Sequence, residues 1–203
     1  MLQNRVDPEG TLIRTSARGA WMGNRGLLHD HHQKVLRAFK LKAWITCVLE
    51  FKGRKRTVMT PNRYTELFFL DEVTAFSAGH RPCFECRRQE ADRFKSLWLR
   101  SNSEYGFNEH TPIGEIDNIL HRERIDSKGS KVTYEENIRD LPDGSFIRWQ
   151  GKPALVARGM LHPWSPFGYL AAIALPASGM VTVLTPASIV ATFHAGYIPQ
   201  MAL

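Results

Sequence analysis

The sequence predicts an α+β protein, on three observations. Two segments with apolar residues at helical spacing flank a C-x-x-C turn at Cys83 and Cys86. The last third of the chain carries short β-branched runs between turn signals, with a helical stretch at its end. Length and composition agree with a folded chain, since 203 residues at 43% hydrophobic and 23% charged suffice for one good core or two small ones. The expected organisation is a region over residues 1–128 built on a β-hairpin and two helices, with a β-rich region over 129–203 packed on it.

Residues 6–26 are rich in Arg and Gly and read as irregular, with one short strand at 11–14 and an apolar anchor at Trp21-Met22. Residues 44–51 (Trp-Ile-Thr-Cys-Val-Leu-Glu-Phe) are β-branched and aromatic and predict a strand. Lys52-Gly53-Arg54-Lys55-Arg56 has the glycine and charge of a hairpin turn, so 57–60 predicts the returning strand, which Pro61 ends. Residues 64–70 pass into a helix in which Asp71 suits the N-cap, Val73 and Phe76 share a face, and Gly79 suits the residue beyond the C-cap. After the cysteines, Ala91, Phe94, Leu97 and Trp98 recur at helical spacing, with Arg88, Arg93, Lys95 and Arg100 around the polar side. Such a stripe predicts core.

Residues 102–113 turn polar and predict a loop, and 116–125 a helix. Turns at 141–144 and 150–153 bracket strands at 145–149 and 154–157, and a further strand at 181–185 stops at Pro186. The Pro-rich aromatic stretch 162–169 reads as a loop covering the end of a small sheet. Thr-Val-Leu-Thr-Pro at 182–186 echoes Thr-Val-Met-Thr-Pro at 57–61, and Ala195-Gly196 with Pro199 echoes Ala78-Gly79 with Pro82. The order strand, proline, helix and Ala-Gly-x-x-Pro exit is thus expected twice, without cysteines in the second copy.

Three cysteines cannot all pair within one chain, and C-x-x-C on a tight turn aims two thiolates at one centre, half of a tetrahedral zinc site. The missing donors are sought at Cys47 and at His29, with His31, His32 and His121 as further imidazoles. Mixtures of thiolate and imidazole suit Zn²⁺. The N-terminus has no apolar leader core and no run is long enough to span a membrane, which predicts a cytoplasmic protein without a membrane partner.

Phe68-Phe69-Leu70-Asp71-Glu72 followed by Ala78-Gly79-His80-Arg81-Pro82-Cys83-Phe84-Glu85-Cys86 resembles the N-terminal zinc domain of the Ada family, bacterial proteins that repair methyl phosphotriesters in DNA. The likeness covers about 30 residues. In that family a helix exits through Ala-Gly-(aromatic)-Arg-Pro-Cys-x-x-Cys, and the other ligand pair is C-x-x-x-C. Cys47 falls on the first position of that pair, the methyl-accepting thiolate in the family, while the second falls on Phe51. The resemblance therefore implies a zinc-stabilised protein that contacts nucleic acid and does not transfer methyl groups.

Charge is compatible with this. The net charge is +7, and residues 52–100 hold eleven Lys or Arg against six Asp or Glu. Arg54, Lys55, Arg56, Arg81, Arg87 and Arg88 are the expected phosphate contacts. A second reading makes the chain a metal-dependent hydrolase or nuclease using His121 and Glu123, with Glu123 as base to a zinc-bound water. A third is a metal-free interaction protein.

Overall fold

The computed structural model describes residues 1–54 and 57–203 and shows a mixed α+β protein with two sheets and four helices among them. The first sheet is formed by β1 (Gln3–Val6), β2 (Leu12–Arg14), β3 (Trp21–Asn24), β4 (Ile45–Cys47), β5 (Leu67–Phe69) and β6 (Arg81–Pro82), in the order β2-β1-β5-β3-β4-β6. The second contains β7 (Tyr134–Asn137), β8 (Phe146–Trp149), β9 (Lys152–Ala157), β10 (Met160–Ser165), β11 (Gly168–Tyr169), β12 (Ile173–Ala174) and β13 (Met180–Val183). Its order is β11-β10-β9-β8-β13-β7, with β12 also on β10. The helices are α1 (Glu72–Ser77), α2 (Arg88–Ser101), α3 (Ile113–Arg124) and α4 (Ala187–His194).

Helix α1 is six residues long and every one of them is buried. A helix this short has little stability of its own, so its ends and its packing must supply it. At its start the Asp71 carboxylate accepts from the Thr74 amide (3.0 Å) and hydroxyl (2.6 Å). The other Asp71 oxygen accepts from the Tyr169 hydroxyl (2.7 Å) and the Ala202 amide (3.0 Å). Glu72 accepts from Arg87, from the Tyr197 hydroxyl (3.0 Å) and from the Gln200 amide (2.8 Å). Two buried carboxylates thus find donors at Arg87, the N-cap of α2, on β11 and along residues 197–202.

The sides of α1 serve three cores. Phe76 packs with Phe94, Trp98, Ile116, Leu120 and Phe193 from the other helices. Val73 packs with Phe146 and Leu155 of the second sheet and with Leu184 just beyond β13. Ala75 joins Val6, Leu67 and Phe69 of the first. The apolar stripe of α2 is core as expected, with Ala91, Phe94 and Trp98 buried.

The helix exits repeat as the sequence echo predicts. After α1 the Gly79 amide donates to Phe76 O (2.8 Å) and the His80 amide to Ala75 O (2.9 Å). After α4 the Gly196 amide donates to Phe193 O (2.9 Å) and the Tyr197 amide to Thr192 O (3.2 Å). Both are Schellman caps, with the glycines at φ +85° and +101°. The strand half of the echo does not repeat. Residues 57–60 form a turn in which Met59 adopts φ +55° and is fully buried, its amide donating to the Glu66 carboxylate (2.8 Å).

Two further expectations are corrected. The strand predicted over 44–51 ends at Cys47, and β4 pairs with β3 and β6 rather than with a hairpin partner. Residues 162–165, read as loop, belong to β10, where His162 and Pro163 face Leu155 and Ala154 in register. Pro163 is tolerated because β10 takes its other neighbours, β11 and β12, at either end of it.

The two glycine caps differ in surroundings, which gives a test. A Cβ on Gly79 would stand 2.4 Å from Arg124 Cδ and 2.8 Å from its Cβ, whereas one on Gly196 meets nothing within 4 Å. Gly196→Ala is expected to cost about 1–2 kcal/mol for the left-handed backbone alone. Gly79→Ala should cost roughly 1–3 kcal/mol more, from overpacking against Arg124. Equal losses in urea unfolding would show that the close approach of α3 is not needed.

Candidate metal centre

The segment leaving α1 carries the cysteine turn to β4. Because Gly79 reverses the chain, Arg81 and Pro82 run parallel to Ile45 and Thr46 as β6, with the Arg81 amide on Trp44 O (3.1 Å) and the Cys83 amide on Thr46 O (3.0 Å). That register sets Cys83 beside Cys47. The turn then closes through the Arg87 amide on Cys83 O (3.0 Å), which returns Cys86 toward the same point before α2 begins.

The sulfurs of Cys47, Cys83 and Cys86 all lie within 4.8 Å of one another. Cys47 and Cys83 are buried and Cys86 is half-buried, among Met22, Ile45, Tyr64 and Phe68. Zinc–sulfur bonds of about 2.3 Å place tetrahedral corners about 3.8 Å apart, so three sulfurs this close fit three corners of one site. The donor set is chemically suitable, since soft thiolates select zinc and other thiophilic ions over magnesium or calcium.

The protonation pattern follows from the contacts. Cys83 is lowered to about 5, chiefly by a hydrogen bond from the Cys47 thiol and then by the amides of Cys86 and Glu85, the latter at 3.4 Å from its sulfur. Cys47 is pushed up by that same bond and by burial. Burial also raises Cys86, against a hydrogen bond from the Val48 amide. Cys83 is thus the thiol of the three that ionises most readily, and a dication would draw off the other protons.

No fourth donor of the expected kind is present among the described residues, where the three cysteines form the only His, Cys, Asp or Glu group of this compactness. His29 lies buried elsewhere, its Nδ1 2.6 Å from the Thr65 hydroxyl. His31 and His32 are exposed, their rings tilted against each other with centroids 3.8 Å apart. His121 packs edge-on against Phe39, and its Nδ1 lies 3.1 Å from Arg124 Nη2. Burial and that guanidinium hold it down at about 4.

Glu123 takes up the start of α4, accepting from the Ser188 amide (3.3 Å) and hydroxyl (2.5 Å) and from the Tyr105 hydroxyl (3.3 Å). Two residues apart on α3, His121 and Glu123 do not face a common centre.

The expected basic face divides in two. Arg81 is buried and holds Asp117 with both arms, at 2.8 and 2.7 Å. Arg87 is buried between Glu72 and the Trp21 ring, 4.1 Å from the ring centre. Neither reaches a phosphate, which corrects both assignments: each guanidinium neutralises a buried carboxylate. Arg54 and Arg88 are exposed, and pair with Glu85 (2.6 Å) and Asp92 (3.4 Å). Lys55 and Arg56 lie outside the described residues.

The sequence reading passed over Arg25, Arg124, Lys131 and Trp44, which meet at a cavity behind the first sheet. No local signal marks them, because they are contributed by segments far apart in the chain. Among the described residues no helix is long and apolar enough to cross a membrane. Comparison with family models, with curated proteins and with solved structures finds no match.

Burial predicts how the arginines respond to removal. Arg81→Ala leaves Asp117 buried and uncompensated and should cost roughly 3–5 kcal/mol. Arg88→Ala removes an exposed pair and should change stability by less than about 1 kcal/mol. Urea midpoints of the two variants check the contrast, and a small effect at Arg81 would contradict the buried assignment.

Proposed function

We propose that this chain is a zinc-binding protein whose metal is held by Cys47, Cys83 and Cys86. The observation that carries the reading is the convergence of these three sulfurs, from β4 and from both ends of the turn before α2, within 4.8 Å. Zinc supplies a cross-link between β4 and the α2 turn and, with three protein thiolates, one coordination position for a donor from outside this set. The chain's own part is to fix the sulfurs: the β4–β6 register places Cys83, and the Val48 and Glu85 amides stabilise thiolate charge.

The proposal retains a nucleic-acid partner on narrower ground than the sequence implies. It is supported by the net charge of +7 and by exposed Arg54 and Arg88 near the centre. Each of those arginines already meets a carboxylate, so the metal reading stands more firmly than the phosphate one. Methyl transfer is not part of the proposal.

Protein purified without added metal should contain about one zinc per chain by elemental analysis, with Cys47→Ser, Cys83→Ser and Cys86→Ser each lowering that content. Chelation should lower the thermal midpoint of the natural chain and leave that of Cys83→Ser unchanged. Full zinc content in Cys83→Ser, or a midpoint indifferent to chelator, would refute the centre. For the partner, a mobility shift that weakens steeply with salt and is lost in the Arg54→Ala, Arg88→Ala double variant is expected. Retention of the shift in that variant would remove these residues from the interface.

A further inference from the structure

Behind the first sheet lies a cavity of about 460 Å³, lined by the β1–β2 turn, Trp44, the end of α1 and the segment after α3. Three cations form its wall. Arg25 is 1% exposed; its Nε donates to His80 Nε2 (3.2 Å), its Nη1 donates to Gly10 O (3.0 Å), and its Nη2 is buried without a hydrogen-bond partner among the described residues. Arg124 is also buried and gives hydrogen bonds to Gly79 O (2.8 Å) and Lys42 O, while its Nε has no hydrogen-bond partner among the described residues. Lys131 donates to Ser77 O. Both guanidiniums stack on Trp44, at 3.8 and 3.9 Å from its ring centre.

Every acceptor used here is neutral. Among the described residues none of the three cations makes an ion pair, in contrast to buried Arg81 and Arg87. Glu9, the carboxylate lining the cavity, is held by both arms of Arg148, at 3.2 and 3.1 Å. Asp7 is the other negative group that Arg25 and Lys131 feel, and its Oδ1 accepts from the Thr11 amide (2.9 Å). Positive charge on the lining therefore exceeds negative charge, and a buried charge is retained only where it is paired. Burial lowers all three cations, Lys131 to about 7, which an anion in the cavity would reverse.

We propose that this cavity binds a phosphoryl dianion, with Arg25 and Lys131 facing its oxygens and exposed Arg37 at the mouth. Negative charge matches the sign of the excess, and oxyanion geometry suits guanidinium donors. The volume exceeds that of a bare phosphate and falls in the range of small-ligand pockets, so the dianion is carried as a phosphomonoester. No cysteine lines this space, and the site is independent of the metal centre.

Calorimetric titration with inorganic phosphate and with a nucleoside 5′-monophosphate, at matched ionic strength in chloride, tests it. Saturable one-to-one binding is expected, tighter for the monophosphate, with Kd raised about tenfold or more in Lys131→Met, the loss of one charge-assisted hydrogen bond. Arg37→Gln, at an exposed position that the fold does not use, should weaken binding too and guards against a folding defect in the first variant. Phosphate binding as tightly as the monophosphate supports the oxyanion site with free phosphate as occupant. Saturable binding of neither probe, or binding undiminished in both variants, overturns the proposal.

Discussion

The burial of two adjacent carboxylates at the start of α1 is the constraint on which the rest of the structure depends. Asp71 and Glu72 are 0% and 3% exposed, and buried carboxylates are stable only when their oxygens are filled with donors. The donors come from α1 itself, from Arg87 at the N-cap of α2, from Tyr169 on the second sheet, and from Tyr197, Gln200 and Ala202. Satisfying one pair of acids therefore ties the start of α1 to the second sheet, to the N-cap of α2 and to residues 197–202.

What was legible in the sequence was chemistry confined to a few neighbouring residues. Asp71 as N-cap and Gly79 as the left-handed exit could be read because each feature depends on side-chain type and backbone sterics within one turn. The α2 stripe was legible for the same reason, its period being local. Residues 57–60 misled because β propensity reports a fit to a pleated surface, and Met59 is buried by a different device, a positive φ and a long reach to Glu66. Strand β10 was hidden by Pro163 and by aromatics whose role depends on partners in β9.

The site was legible to the same depth. Cys83 and Cys86 announce themselves by spacing, whereas Cys47 joins them through the parallel register of β4 and β6, which no local pattern encodes. The arginines show the limit most clearly. Arg81 and Arg88 look alike in sequence, yet one is buried on Asp117, thirty-six residues away, and the other is on the surface with its own helix neighbour Asp92. A basic run predicts charge but not the side of the surface on which the charge will sit.

That distinction changes the meaning of the net charge. Among the described residues four arginines, at 25, 81, 87 and 124, are buried, so part of the basic balance is internal and does not form an outward field. Two of the four neutralise carboxylates and belong to the scaffold; the other two donate to neutral groups beside an open space. The segment from Gly79 to Cys83 serves both purposes: Gly79 O and His80 receive the cavity arginines, Arg81 is clamped to α3 through Asp117, and Cys83 completes the sulfur cluster. These five residues, held by α3 on one side and by β4 on the other, run from the cavity wall to the cysteine turn, and their packing supports the exit of a six-residue helix that has little stability of its own.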